Sequence, residues 1–410
     1  MEEEEEESRG SIGNDMEAEA PGIVIAGGGI CGLATALALH RKGIASLVLE
    51  KSKTLRAEGA VIGVHANGWH VLEQLGVAAE LRETAHAPIT AFHDVRRQGN
   101  KITRDDQYPV RTEFRCLNRK DLIEALAKDL PAGAIRFGCQ IAAVHEDPSS
   151  HGALLTMVDG TTIKAKALIG CEGTCSVVAK YLGLPPVRAI PRPVLRGFTR
   201  YPHGHPFEDE FLRLSVGEIF IGRFTLNENL VHFSVTMPDP PTELTRDPKK
   251  ARGLALEDLQ RLQCPAEIID LVRESDPASL NVVTKLLYRP PWEVAFGGFQ
   301  KGTVTIAGDA MHAMGPFIGQ GGSAGLEDAV VLARALARAV GAGGEEMVGK
   351  AIAEYIRERR LRLARLSLES FVVGLVARSP SPVTTLACAA VSMLLGTRSH
   401  EHAKYDCGRL

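Results

Sequence analysis

The chain has 410 residues, 45% hydrophobic and 24% charged, enough for two or three domains or for one large α/β domain carrying an inserted one. With a net charge of −3 and no basic stripe interleaved with aromatics, it lacks the footprint of a nucleic-acid binder. Eight cysteines without C-x-x-C spacing, and no signal-peptide pattern, point to reduced thiols rather than a disulfide scaffold or metal site.

Residues 1–20 carry nine acids against Arg9 alone, so the remainder is near +5. Such a run repels itself and has little to bury, which predicts a disordered acidic tail, the opposite of a basic transit peptide. A cytoplasmic location is expected. From Ile23 the pattern reads strand (Ile23–Ala26), loop "GGGICG", an Ala/Leu-rich helix to Arg41 stopped by Gly43, then a strand Leu47–Leu49 ending at Glu50. The spacing G-x-G-x-x-G falls on Gly27, Gly29 and Gly32. Without side chains there, the backbone can turn tightly and bring a diphosphate onto a helix N-terminus. Glu50, 18 residues after Gly32, can accept hydrogen bonds from both ribose hydroxyls and would repel an extra 2′-phosphate, so the site suits FAD or NAD rather than NADP.

Further on, "NRKDLIEALAKDL" predicts a helix capped by Asn118 and stopped by Pro131 and Gly133. A hairpin turning at Asp159-Gly160 and a buried strand ending at Gly170 follow. Residues 21–188 then form the first part of a Rossmann-like, three-layer domain on a parallel sheet. Between 189 and 295 the alternating runs "IFIGRF" and "LVHFSVTM" predict an inserted, mainly antiparallel substrate domain. Parallel-type strand patterning returns at Val304–Ala307 within a second part of the first domain, residues 296–345. Residues 346–410 are expected to be helical. Arg357, Arg359, Arg360, Arg362 and Arg365 read as a solvated helix face, and the apolar run Pro382–Leu395 is too short to span a membrane.

The segment after Val304–Ala307, "GDAMHAMGPFIGQGGSAGLEDA", separates FAD from NAD, because a simple dehydrogenase offers no second strand ending in Gly-Asp. Ser323 is expected to cap a helix beginning just after Gly319–Gly322, with Glu327 and Asp328 in its first turns and Leu326, Ala329, Val330, Ala333 and Leu336 on one face. His312 reads as a hydrogen-bonded structural histidine rather than a base.

From about residue 21 onward the chain resembles the single-component FAD-dependent aromatic hydroxylases, most closely plant salicylate-hydroxylase-like and zeaxanthin-epoxidase-like monooxygenases. The resemblance rests on "GGGICGLATALALHRKGIASLVLEK", "LNRKDLIEAL", "ALIGCEGTCSVVAKYLG" and "IAGDAMHAMGPFIGQGGSAGLEDAVVLARAL", in that order. It implies FAD as cofactor, with NADH or NADPH as a transient reductant, and an acceptor role for Asp309 toward the ribityl chain. Arg119 would contact the diphosphate or ribityl region, and Arg56 with Gly59 would supply a further arginine near the flavin. Ile30 and Lys51 join the cofactor set with Gly27, Gly29, Gly32 and Glu50. Gly319, Gly321, Gly322 and Ser323 would aim a helix N-terminus at flavin N1, where reduction places negative charge, and Pro316 would stiffen the loop along the flavin edge. Glu172 stands where the family has an Asp-Gly motif serving FAD and the nicotinamide, and Ala313 where Pro is common.

The implied reaction runs through a flavin C4a-hydroperoxide whose distal oxygen attacks an electron-rich ring or alkene. Hydroxylation of a small salicylate-like or other phenolic substrate is expected, with alkene epoxidation, a flavoprotein that has lost hydroxylation and a nicotinamide dehydrogenase as alternatives. Arg223 and His232, on the two runs of the inserted sheet, are the candidates for contacting a carboxylate or a phenol. The protein is expected to be a monomer or homodimer.

Overall fold

The computed structural model describes residues 22–55, 61–85, 87–98, 101–148, 152–190, 192–238, 247–342, 345–378 and 401–410. The acidic tail, Arg56, Gly59 and the run Pro382–Leu395 lie outside the described residues.

Short runs, rich in Val, Ile and Leu and buried on both faces except at the edge strand Ile135–Phe137, form parallel strands. Their order is Val304–Ile306, Ala167–Gly170, Ile23–Ala26, Ser46–Glu50, Ile135–Phe137, with Gln300–Lys301 antiparallel at one edge. The chain leaves Ile23–Ala26 toward Ser46–Glu50 on one side, while its other neighbour comes from far along the sequence. This reversal creates a crevice at the carboxyl ends of the strands, the usual ligand position in such sheets. The helix Ile30–Arg41 is enclosed, with every residue from Gly32 to Leu39 buried. It packs against Gly321–Ala342, which in turn packs against the 34-residue helix Glu345–Arg378.

The hairpin Ala153–Met157/Thr162–Ala165 turns at Gly160 (φ +86°) as the Asp-Gly pair predicts. Asn118 caps Arg119–Lys128, its side chain accepting from the Lys120 amide at 3.1 Å.

The second sheet has seven strands in the order Asn281–Val283, Val194–Arg200, Leu230–Thr236, Ile219–Asn227, Glu210–Val216, Ala91–Gln98, Lys101–Pro109. The last two precede the 189–295 segment in sequence, and the pairing of Glu210–Val216 with Ala91–Gln98 is parallel. They carry so many Arg, Asp and Gln residues that no apolar alternation marks them.

One face of this sheet presents Leu195, Leu212, Leu214, Ile221, Val231, Phe233 and Val235 to the helices Pro248–Arg261 and Ala266–Arg273. Each such fully buried side chain contributes about 1.5–3 kcal/mol. The opposite face carries Arg196, Phe198, Phe211, Phe224 and His232. A chain of ring contacts runs from this face toward the first domain: His232 on Phe224, Phe224 on Phe211, Phe211 against Phe92, Phe92 on Phe114, and Phe114 on His65.

Candidate active site

Three loops converge at the carboxyl ends of the central strands. Gly27 turns with φ +101°, and a Cβ there would lie 2.6 Å from the Cys171 carbonyl oxygen. A Cβ on Gly32 would lie 2.0 Å from the Gly27 carbonyl oxygen, so the helix rests directly on the turn. Gly29 differs: a Cβ there meets nothing within 4 Å. It precedes Ile30, the first helical residue, with no side chain capping the helix. The first-turn amides therefore face open space, as an anion site needs. Glu50 is buried; Oε2 accepts from the Gly28 amide and Oε1 from the Ser52 amide, each at 2.8 Å. A carboxylate is an acceptor-only group with about four lone-pair directions, the type to which ribose hydroxyls donate. Lys51, next to it, is exposed.

The Gly-Asp turn closes the other side. Gly308 has φ +62°, and a Cβ there would lie 2.9 Å from Cys31 Cβ. Asp309 is exposed although Ala307, Gly308, Ala310, Met311 and His312 around it are all buried. Pro316–Ile318 forms a single 3₁₀ turn ended by left-handed Gly319 (φ +64°).

The following helix begins at Gly321, earlier than expected, with the Ala324 amide bonding to the Gln320 carbonyl at 2.8 Å. Ser323 is therefore not the cap. It sits buried in the first turn, its Oγ accepting from the His65 amide at 3.3 Å. Gly322 allows the early start, because a Cβ there would lie 2.4 Å from Ile62 Cδ1.

Two further residues test the fit of a flavin dinucleotide. Arg119 keeps a buried Nε with no hydrogen-bond partner, an orphaned donor of the kind a phosphate or ribityl oxygen satisfies. Glu172 folds back on its own chain, accepting from Ser176 Oγ and from the Val177 and Val178 amides at 3.0 and 3.4 Å. The extra methylene over Asp gives it that reach, and burial pushes its carboxyl above the ordinary value. With the open face at Gly29, the exposed Asp309 and the unpartnered Arg119, the residues fit FAD.

Beneath the Gly-Asp turn lies a fully buried polar network. Asp328 Oδ2 accepts from the Gly308 amide at 2.9 Å and pairs with His312 Nε2 at 2.6 Å. Arg359 donates from Nε to Asp328 at 2.7 Å and from Nη2 to Glu327 at 2.6 Å. His312 is thus structural, as expected. The arginine-rich helix is not simply a solvated face, since Arg359 is fully buried and Arg362 pairs with buried Glu327 at 3.0 Å. The helix lies against Gly321–Ala342, and the two acids draw both cations inward.

Burial alone would push the Asp328 carboxyl up, but His312 and Arg359 outweigh it and hold the group down to about 2, against an ordinary 3.8. A depressed value stabilises the folded state above the unfolded pKa, and that stability is lost as pH falls through the folded one. At about 1.4 kcal/mol per unit, some 2 kcal/mol is at stake. The stability difference between wild type and Asp328→Asn, from urea midpoints, is expected to shrink by about this amount between about pH 4 and about pH 2.

The structure separates the two substrate-side candidates. Arg223 lies in register with Leu212 and Phe233, on the helix-covered face. It pairs with Glu210 at 2.6 Å and stacks over Phe207, so it faces away from the flavin crevice and serves as a structural ion pair. His232 lies on the crevice-facing side, stacked on Phe224, with Nδ1 buried and unpartnered. Burial and the nearby Arg196 push it down to about 3, so it is a neutral hydrogen-bonding group and no base. Arg196, which sequence reasoning missed, shares that face. Its guanidinium has no partner among the described residues, and burial lowers its pKa with no carboxylate to reverse the effect. Strand alternation carried the signal: Arg196 alternates with the core residue Leu195, whereas Arg223 shares its parity with the core residues Ile219 and Ile221. No metal-binding cluster and no membrane-length apolar helix occurs among the described residues.

The family profile described as FAD binding domain matches residues 21–192 and 292–369. The chain belongs to this family. The unmatched stretch between those ranges supplies five of the seven strands of the second sheet. Monooxygenase 1 of Arabidopsis thaliana is 43% identical over 401 residues, covering 96% of this chain and all of that protein. A 3-amino-4-hydroxybenzoate 2-monooxygenase of Streptomyces platensis is 28% identical, covering 78% and 80%. Klebsiella pneumoniae HpxO, solved with FAD and uric acid, has the same fold, with TM-score 0.74 and 22% identity over 94% of this chain and 96% of that one. The protein is an FAD-dependent monooxygenase of the aromatic-hydroxylase type.

Proposed function

We propose that this monooxygenase uses NAD(P)H and dioxygen to hydroxylate a small aromatic compound bearing an anionic group, a phenolic acid of the salicylate kind. Arg196 carries this reading. It is a half-buried cation with no hydrogen-bond partner among the described residues, on an aromatic-walled face that leads through Phe224, Phe211, Phe92, Phe114 and His65 to the flavin loop. A half-buried guanidinium with no carboxylate beside it can form charge-assisted hydrogen bonds to the carboxylate or phenolate of a bound substrate. The relatives, a 3-amino-4-hydroxybenzoate 2-monooxygenase and a protein solved with uric acid, support small polar aromatics.

Bound FAD supplies the chemistry: electrons from NAD(P)H activate dioxygen, one oxygen atom entering the substrate and the other leaving as water. The chain's own task is positional. The first-turn amides of Gly321–Ala342 would stabilise negative charge on the reduced ring, Pro316 would stiffen the loop beside it, and neutral His232 would hold a phenol hydroxyl by a hydrogen bond.

NADH and NADPH oxidation with a panel of phenolic acids, neutral phenols, indoles and isoprenoids, with mass analysis for products one oxygen heavier, tests the proposal. Arg196→Met is expected to raise KM for phenolic acids about 10- to 100-fold, the worth of a charged hydrogen bond, and to leave KM for their methyl esters unchanged. Unchanged KM for the acids refutes the anion anchor. If no compound is oxygenated and none accelerates flavin reduction, hydroxylation itself has been lost.

A further inference from the structure

Arg359 has no accessible surface, so it can touch neither flavin nor substrate. It nevertheless sits where the structural elements of the flavin site are joined. Its fork spans two adjacent carboxylates on the helix Gly321–Ala342, reaching Asp328 at 2.7 Å and Glu327 at 2.6 Å, and its Nη2 also donates to the Ala324 carbonyl at 3.2 Å.

Asp328 in turn holds both ends of the short turn that displays Asp309, through the Gly308 amide and His312. Glu327 accepts from Asn67 Nδ2 at 2.6 Å, and the same nitrogen donates to Gln320 at 2.9 Å, one residue before the helix begins. Asn67, Gln320, Glu327, Asp328, His312 and Arg359 are all essentially without solvent exposure. Arg362 adds a second cation at Glu327, anchored to the His402 carbonyl at 2.7 Å.

We propose that Arg359 is a positioning residue for the flavin: through Glu327 and Asp328 it sets the Gly-Asp turn and the N-terminal turn of the flavin-facing helix, and so tunes FAD affinity and flavin potential from the C-terminal helix. Two carboxylates side by side in a buried site repel each other, and a cation bridging them holds both in place. With Arg359 present, both remain acceptors, and the Gly308 amide, His312 and Asn67 are each held at a fixed place. Without it, Glu327 keeps only Arg362 and Asp328 only His312 as an ionic partner, no group bridges the two acids, and Asp309 and the first-turn amides lose their common frame. A planar fork is needed, because a lysine ammonium can pair with one acid but cannot bridge both in that geometry.

Because it concerns the FAD site alone, this inference does not depend on which substrate is oxidised. The test uses the full-length flavoprotein and its deflavinated form. FAD dissociation constants come from flavin fluorescence titration and potentials from reduction against reference dyes. In Arg359→Lys, FAD is expected to bind about tenfold more weakly, and reduced flavin to lose more affinity than oxidised flavin. A tenfold difference between those losses lowers a two-electron potential by about 30 mV. Arg359→Met is expected to show a larger effect in the same direction. Glu327→Gln, which keeps the cation and removes one of the two acids, is expected to weaken FAD binding less than Arg359→Lys does, because the Asp328 link persists. If Arg359→Lys lowers thermal stability while its FAD affinity and flavin potential match wild type, Arg359 is only a brace for the C-terminal helix and the proposal fails. Should Arg359→Met not fold, the lysine and glutamine variants decide between the two outcomes.

Discussion

Asp309→Ala is expected to bind FAD about 10- to 100-fold more weakly with its fold intact. Asp309 is the exposed acid on an otherwise buried turn, and its carboxylate makes no contact that the neighbouring loops need. The turn is held by Gly308 and His312 through Asp328, so removing the Asp309 carboxylate leaves it in place. A lost charge-assisted hydrogen bond of about 1.5–3 kcal/mol corresponds to FAD binding weakened about 10- to 100-fold. Fluorescence titration of the deflavinated protein measures this, and undiminished affinity would show that the ribityl chain is held elsewhere.

A pair of glycine substitutions is expected to divide fold from binding. At Gly32 a methyl group would lie 2.0 Å from the Gly27 carbonyl oxygen, so the enclosed helix Ile30–Arg41 must move off the turn. Gly32→Ala is expected to cost about 3 kcal/mol or more, the upper range of overpacking penalties, and to abolish FAD binding as well. At Gly29 the same methyl meets no protein atom within 4 Å. Gly29→Ala is therefore expected to melt like the wild-type apoprotein, yet to bind FAD poorly, because the new Cβ occupies the face a diphosphate approaches. Thermal melts of both apoproteins, with and without added FAD, check the contrast. A Gly29→Ala variant stabilised by FAD as strongly as wild type would move the diphosphate off this helix.

Segments whose meaning is local were legible in the sequence. A strand, a glycine turn and a helix form within about 20 residues, and their steric demands act between near neighbours, so Gly27, Gly32 and Glu50 could be read from spacing. The same holds for the Asn118 cap and the Asp159-Gly160 hairpin. The Asp309 turn was legible through family resemblance, because its pattern is distinctive although it lies far from the first glycines.

Ser323 went astray because its role depends on the strand Val61–His65, 258 residues away from it at the His65 contact. A serine ahead of an apolar face looks like a cap until a distant amide claims its hydroxyl. The polar strands Ala91–Gln98 and Lys101–Pro109 were illegible for a related reason: the first is recruited by pairing with Glu210–Val216 and the second by pairing with the first, without an apolar pattern of their own.

The sequence by itself determined a tight glycine turn between the strand Ile23–Ala26 and the first helix, a second strand ending in Gly308-Asp309 and a stretch of alternating strands between them. These follow from steric and periodic constraints among residues close in the chain. Only the tertiary structure decided which arginine faces the crevice, since Arg196 and Arg223 lie on opposite faces of one sheet and differ by strand parity and register. It alone placed Arg359 beneath the flavin turn, because burying a cation requires two acids from another helix, and no spacing within one helix reports on that meeting.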